Sequence, residues 1–429
     1  MLKRRLHMLL PALIVLMTVS VRGFSQDYTF EIPDEEDPAL LFSGNLDVKW
    51  ALMQSRSRSP FYRFQFSQYE DMEKNLSQYR LDYYFNSEYR NQKLFFQMKT
   101  FTQYSNNDPL DISFYELFGS LNLSPKLSLG TGKKRFIWGK GYAFNPVGYI
   151  NTEKDPENPD LALAGKSMLY MNYNKSYTSD WLKNFSLSGI VLPPKPQYND
   201  KFASADYTEY AVKFYFLVKN SDIDLMLFRG KNSVSKYGFD FSSNLKSNIE
   251  VHGEWSYNVD EQKNSISNDD LMTERVNGSS YLLGLRYLNK FNTTFIFEYY
   301  FNNRGLSENQ YRDFSHYLNN ALESDDPLVM SDAKSNISLV SQSKTLMKEY
   351  FYFNVKQAEP FSLVYSSFSI FSIYNLEDRS FLISPRFNYT PYTNFELILW
   401  PTFTSGKQSS EFGNKLFYKK IELWLRFYF

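Results

Sequence analysis

The sequence predicts an all-β protein: a transmembrane, antiparallel, up-and-down β-barrel of about 18 strands, with 16 as the alternative count and both termini periplasmic. Three observations predict it. Apolar and polar residues alternate along runs of about 10–14 residues almost to the end of the chain. The mean hydropathy is −0.46, yet 18% of the residues are aromatic. The chain opens on a segment of secretory type and closes on an alternating strand that ends in Phe429.

Composition removes several function classes. The 429 residues include no cysteine, which excludes disulfides, thiolate metal sites, a catalytic thiol and a lipoprotein anchor. Lys and Arg total 47, as do Asp and Glu, a balance that argues against nucleic-acid binding. The chain is too polar for a bundle of membrane helices, each of which needs about 20 apolar residues.

The elements follow in order. Lys3, Arg4 and Arg5 precede an apolar run from Met8 to Val21, and Gly23-Phe24-Ser25 supplies small residues for cleavage after Ser25. The run is too short to span a bilayer and suits a secretory signal, so residues 1–25 are expected to be removed. The loss of Lys3, Arg4, Arg5 and Arg22 leaves 43 basic against 47 acidic groups. Residues 26–39, with Asp34, Glu35, Glu36 and Asp37, read as a loose periplasmic leader, and residues 40–429 as the barrel with long extracellular loops.

In the first barrel strand Phe42, Gly44, Leu46, Val48, Trp50 and Leu52 oppose Ser43, Asn45, Asp47, Lys49 and Ala51. In the second, Tyr79, Leu81, Tyr83 and Phe85 oppose Gln78, Arg80, Asp82 and Asn86. A soluble sandwich also alternates, but its strands average about 5–6 residues, whereas a membrane strand needs about 9–11. Charge on the polar faces then points to a wet lumen and places the apolar faces against lipid. The predicted strands are 40–53, 76–90, 93–104, 114–123, 127–136, 166–176, 184–192, 207–218, 222–230, 236–243, 247–258, 279–289, 292–302, 347–357, 361–373, 380–389, 395–404 and 416–429. No stretch shows a helical period over four turns. Every second connector is short, such as Asn91-Gln92 or Lys290-Phe291, and the intervening set includes 54–75, 137–165, 193–206, 259–278, 303–346 and 405–415. That asymmetry suits tight periplasmic turns and long outer loops.

The last strand alternates Ile421, Leu423, Leu425, Phe427 and Phe429 with Glu422, Trp424, Arg426 and Tyr428. It resembles the C-terminal signal of bacterial outer-membrane proteins, which implies that Leu425, Phe427 and Phe429 engage the barrel-insertion machinery. Closure of the sheet is required physically, because an unpaired edge in hydrocarbon leaves backbone groups unsatisfied at several kcal/mol each.

Candidate chemistry is sparse. His252 shares a lumen-facing side with Glu250, Glu254 and Ser256, but residues alternating on one strand lie about 7 Å apart, too far for a serine–imidazole hydrogen bond. They read as polar lining, and His316 as loop packing among Tyr311, Phe314 and Tyr317. Glu153, Asp155, Glu157 and Asp160 cluster carboxylates, as calcium prefers, yet Pro156 and Pro159 interrupt them and no loop glycine fits a calcium motif, so an exposed acidic loop is the expectation. No cofactor and no resident metal are expected.

The most distinctive segment runs from Lys133 to Lys166 through Trp138-Gly139-Lys140-Gly141 and Asn145-Pro146. It is long enough to fold into the lumen, where bases at its root and carboxylates at its crest would set a transverse field across a constriction. The alternative is a tight corner with solvated charges. The Trp-Gly-x-Gly…Asn-Pro pattern and the barrel plan are similar to porin-like barrels of Bacteroidota, broadly of the eighteen-strand alginate-export type; the resemblance carries no binding residue. The expected selectivity groups are Lys49, Arg80, Lys134 and Lys140 against Asp82, Asp155 and Glu157. The longest loop, 303–346, could cap the mouth, plug the lumen or dock a partner.

The expected function is a passive, porin-like channel for small hydrophilic solutes in the outer membrane of a Gram-negative bacterium, without catalytic turnover. The alternative is a non-conducting barrel subunit or scaffold of a complex for protein insertion, secretion or surface lipoprotein export. The expected partners are outer-membrane lipid and lipopolysaccharide, the insertion machinery and, under the alternative, other outer-membrane proteins or surface lipoproteins; nucleic acid is not among them.

Overall fold

The computed structural model describes residues 39–66, 75–106, 110–158, 164–194, 207–230, 234–324 and 326–429. The expected signal and leader, apart from Ala39, lie outside these residues, as do Pro159 and Asp160.

Eighteen antiparallel strands form one closed sheet in which each strand pairs with its neighbours in sequence. They are β1 (Ala39–Ser55), β2 (Asn75–Arg90), β3 (Leu94–Ser105), β4 (Asp111–Ser124), β5 (Leu127–Lys134), β6 (Lys166–Ser176), β7 (Leu182–Leu192), β8 (Glu209–Val218) and β9 (Ser221–Arg229). The second half holds β10 (Ser235–Lys246), β11 (Ile249–Ser267), β12 (Asp270–Leu288), β13 (Thr293–Phe301), β14 (Glu349–Ala358), β15 (Ser366–Asn375), β16 (Phe381–Tyr392), β17 (Phe395–Ser405) and β18 (Phe417–Tyr428). The ring closes where β1 meets β18, in register from Asn45↔Tyr428 to Leu52↔Ile421. Reciprocal bonds between the backbones of Gly44 and Phe429, at 3.0 and 3.1 Å, finish the seam. No sheet edge is left for lipid to solvate.

Side-chain phase follows the sequence. Val48, Trp50 and Leu52 point outward at 38–40% exposure, while Asp47, Lys49 and Ala51 point inward at 0–7%. The outer surface carries stacked aromatics, including Trp50 on Tyr79 at 6.4 Å and Tyr281 on Phe301 at 5.2 Å. Such rings suit an interface where one edge is wet and the other apolar.

All eighteen predicted strands are present, but three features differ from the sequence expectation. Residues 259–278 are not a loop. β11 and β12 run on through them and join at a two-residue turn, Asn268-Asp269, with φ of 52° and 66°. Positive φ at both turn residues matches the right-handed twist of the flanking strands. The extension is polar on both faces, so no alternation marks it. β15 begins later than expected, at Ser366, behind a turn that holds four non-glycine residues at positive φ.

Helices are the third difference. α1 (Pro60–Phe66) lies in the first long connection, and α2 (Glu308–Glu323) and α3 (Pro327–Val340) lie in the longest. Ser307 caps α2 in a capping box with Gln310. Its buried positions Tyr311, Phe314, Tyr317, Leu318, Ala321 and Leu322 follow the 3–4 residue spacing of one helical face. They join one cluster with the inward-facing Tyr300, Tyr350, Phe371 and Ile373, so the loop caps the lumen. No helix of the described residues is long and apolar enough to cross a membrane.

The two ends of the barrel differ. Connections at one end are short: 91–93, 125–126, 177–181, 219–220, 247–248, 289–292, 359–365 and 393–394. At the other stand the long segments, including 135–165, 302–348 and 406–416. Ala39 and Phe429 are both at the short-turn end.

Candidate functional site in the barrel lumen

The segment from Arg135 to Gly165 leaves β5 and turns inward. Trp138, Ala143, Phe144, Val147 and Ile150 are buried almost completely. Gly139 makes the corner at φ 95°, where a Cβ would also lie 2.7 Å from Glu254 Oε1. Asn151 fastens the corner by donating from Nδ2 to the Trp138 carbonyl at 2.9 Å and accepting from the Trp138 N–H at 3.2 Å. Phe144 stacks on Tyr300 at 4.6 Å.

Two glutamates of the wall hold this segment. Glu254 on β11 accepts the backbone N–H groups of Lys140 and Gly141, both at 2.6 Å, and of Val147 at 3.3 Å. Glu298 on β13 accepts those of Tyr142 and, at 2.9 Å, Ala143. Carboxylates bonded to N–H groups are stronger acceptors than neutral oxygens and replace lost solvation. Behind them His252 Nε2 lies 3.1 Å from Glu298 Oε1 and packs edge-on to the Tyr142 ring. Lys154 donates to the Gly141 carbonyl, tying the returning limb to the descending one. Burial lowers the Lys154 ammonium below its ordinary value, although Glu254 and Glu298 oppose the shift.

Charge is sorted around the lumen. On β9 to β13 the inward positions carry Asp222, Asp224, Asp240, Glu250, Glu254 and Glu298; Asp224 faces Asp240 across strands, and Asp240 faces Glu254. Lys140 reaches into this wall from the inward segment, 3.1 Å from Asp224 and 3.9 Å from Asp240, and Lys213 is 3.6 Å from Asp224. Burial alone would lower the Lys140 ammonium, but Asp224 and Asp240 outweigh it and hold it above its ordinary value. About nine strands round the ring lies a wall richer in bases. There Lys49 is 2.7 Å from Asp82, Arg80 is 3.0 Å from Asp82, and Arg426 forks onto Asp47 at 2.7 and 2.8 Å. Lys49 and Arg386 lie over the Trp424 and Trp400 rings at 3.8 and 4.8 Å.

The seven expected selectivity residues therefore fall in four places. Lys49, Arg80 and Asp82 meet in one network, and Lys140 sits against the acidic wall. Lys134 is caged by Phe118, Tyr170 and Phe136, at 4.5, 4.4 and 5.2 Å. Asp155 accepts the Glu157 N–H at 3.0 Å in a local turn, and Glu157 pairs with Lys415. Asp224, Asp240 and Glu298 were not singled out from sequence; their signal was a carboxylate at an inward position of an otherwise apolar strand. His316 is exposed, in a surface depression with Arg63 and Glu323. Among the described residues no group of three or more His, Asp and Glu is disposed to hold a metal ion.

Above the inward segment, toward the long loops, a cavity of about 390 Å³ mixes bases (Lys154, Lys166, Lys236, Arg304), acids (Glu153, Glu209, Glu261) and the rings of Tyr149 and Tyr300.

No family model and no curated protein matches the chain. Among solved structures it is similar to OccK3 (OpdO) of Pseudomonas aeruginosa, at a TM-score of 0.52 and 8% identity over 91% of this chain and 95% of that one. It is similar to Wzi of Escherichia coli at a TM-score of 0.52 and 11% identity, over 90% of this chain and 83% of that one. Wzi is described as an outer-membrane, carbohydrate-binding β-barrel involved in group 1 capsule assembly. At such identities the likeness is one of architecture: this chain has the fold of outer-membrane porin-type barrels.

Proposed function

We propose that this protein is an outer-membrane channel through which small hydrophilic solutes pass, with the segment 135–165 as its constriction and the short turns and both termini facing the periplasm. The observation that carries the reading is the arrangement of charge about an in-folded segment. An acidic wall on β9–β13 faces a wall on β16–β18 and β1–β5 in which bases and carboxylates pair, and Lys140 stands at the acidic one. A low-dielectric ring focuses such a field, so a polar solute is oriented as it passes and an apolar one stays unsolvated. The cavity above the segment offers hydrogen-bonding groups of both signs beside two tyrosines, a lining for polar solutes. No turnover is proposed. His252 is committed to Glu298, and Glu298 to the backbone of the inward segment. A cleaved signal of residues 1–25 and insertion through Leu425, Phe427 and Phe429 belong to the same proposal; Phe429 stacks on Tyr83 at 5.8 Å.

Proteoliposome swelling tests it. Liposomes holding the purified protein should admit small sugars and amino acids at rates that fall with solute size. Rates equal to those of protein-free liposomes for every solute would overturn it.

The scaffold reading has one observation in its favour. α3 leaves Leu328, Val329 and Leu339 exposed on the capping loop, a face that a partner could cover. Copurification of a stoichiometric partner in mild detergent would favour it over the channel.

A further inference from the structure

The short-turn end combines two properties. The first is charge. Lys93, Lys126, Lys183, Lys219, Lys246 and Lys290 stand at six successive short turns, from β2–β3 to β12–β13. All six are exposed, and their ammonium groups take part in no ion pair among the described residues. Of the carboxylates near these turns, Glu88 is bound by Arg90 at 2.9 Å, Glu250 by Arg286 at 3.3 Å and Glu396 by Arg426 at 3.5 Å, and Asp222 accepts from the Tyr215 hydroxyl at 2.5 Å; then come Asp180, Glu359 and the chain terminus. At the long-loop end bases and acids neutralise one another instead, as in Lys236 with Glu261 and Lys415 with Glu157.

The second property is apolar tips. Trp181, Leu245, Phe291 and Tyr392 are exposed at 62–75% on four of the turns, and Lys290 lies over the Phe291 ring at 5.1 Å. The turn 359–365 goes further. Glu359, Phe361, Ser362 and Tyr365 adopt φ of 47° to 61°, and Phe361, Leu363, Val364 and Tyr365 all project outward. Four left-handed non-glycine residues in seven form a costly conformation. Here it sets apolar side chains beyond the end of the barrel.

Free lysines beside exposed aromatic tips are the composition that settles at a lipid headgroup boundary, the ammonium at the phosphate and the ring in the acyl zone. We infer that the short-turn rim is a binding collar for anionic glycerophospholipid, its six lysines holding headgroup phosphates and its apolar tips entering the acyl boundary. The inference goes beyond conduction and rests on the proposed orientation only in naming the periplasmic leaflet as the source of the lipid.

The test uses the full chain in mild non-ionic detergent, incubated with equimolar phosphatidylglycerol and phosphatidylethanolamine, with retained lipid counted by native mass spectrometry. Wild type should retain phosphatidylglycerol in preference. Each lysine near an anionic headgroup strengthens binding about fivefold, so the combined Lys93, Lys126, Lys183, Lys219, Lys246 and Lys290→Gln variant should lose the preference about tenfold or more. Raising salt should erode it in wild type and leave the variant unchanged. Lys334→Gln with Lys407→Gln, at the other end, should keep the wild-type ratio. Phe361→Ser with Leu363→Ser should lower retention of both lipids, and heat-modifiable gel mobility reports that each variant is folded. Equal preference in wild type and the six-lysine variant overturns the collar. So does a preference for lipid A over phosphatidylglycerol at the same lysines, or loss of a bound protein with lipid retention unchanged. A barrel that conducts nothing yet keeps the lysine-dependent preference would sink the channel reading alone.

Discussion

Replacing Glu298 and Glu254 by Ala is expected to free the inward segment and raise the conductance of the barrel. Glu298 accepts two backbone N–H groups of the segment and Glu254 three. A hydrogen bond to a charged group contributes about 1.5–3 kcal/mol net, so Glu298 accounts for about 3–6 kcal/mol and the pair for about 7–15 kcal/mol. The remaining anchors include the Lys140–Asp224 ion pair at 3.1 Å, the Tyr149–Ser256 hydrogen bond at 2.8 Å and a set of apolar side chains. Trp138, Phe144, Val147 and Ile150 are buried and contribute about 1.5–3 kcal/mol each. The single variant should therefore keep the segment inside and loosen it at residues 140–143. The double variant removes the largest polar share of what holds it and leaves five donors unpaired, so the segment should be displaced more often and for longer. Glu298→Gln, with an acceptor oxygen but no charge, should fall between wild type and Glu298→Ala. Single-channel recording should show flickering openings in the single variant and a larger, steadier conductance in the double one, and trypsin should begin to cut after Lys140 and Lys154. If the double variant kept both the wild-type conductance and the wild-type digestion pattern, the reasoning about these hydrogen bonds would be refuted.

Other outcomes follow from the same geometry. Lys140→Glu puts a third carboxylate beside Asp224 and Asp240, so the zero-current potential in a salt gradient should move toward cation preference; no movement would remove Lys140 from the conducting path. Gly139→Ala adds a Cβ at φ 95° against Glu254 and should speed proteolysis of the segment with little change in barrel melting. Burial pushes the Glu411 carboxyl in the loop 406–416 up to about 7, with Lys415 opposing and Asp378 adding. The folded state then binds its proton more tightly than the unfolded state. The stability this brings, at most about 3 kcal/mol, is full below the ordinary carboxyl range and lost as pH rises through about 7. Protease resistance of that loop should rise on acidification across this window, and Glu411→Gln should abolish the dependence. Deleting Phe429 removes the stack on Tyr83 and the closing bonds to Gly44, and should slow assembly into vesicles, read by heat-modifiable gel mobility.

The barrel was legible because one physical demand, lipid outside and water inside, is written residue by residue. Val48-Lys49-Trp50 shows both sides within three positions. The extension of β11 and β12 was hidden because both of its faces are polar and the demand lapses there. α2 was hidden because its aromatic stripe at Tyr311, Phe314 and Leu318 is short, lies between polar stretches, and answers to packing over the mouth rather than to a membrane. The inward segment was readable from its length, glycines and Trp138. Its fastening was not, since the partners of Lys140 to Ala143 are carboxylates over a hundred residues away in sequence, on β11 and β13. Sequence showed the charges of the lumen, but their sorting into opposed walls needs the strand order and register.

The most direct test is single-channel recording of the wild-type protein in planar lipid bilayers with a salt gradient. The account predicts discrete, voltage-independent conductance steps whose ion preference changes when Lys140 or Asp224 is substituted. A correctly folded barrel that inserts and passes no current would contradict it.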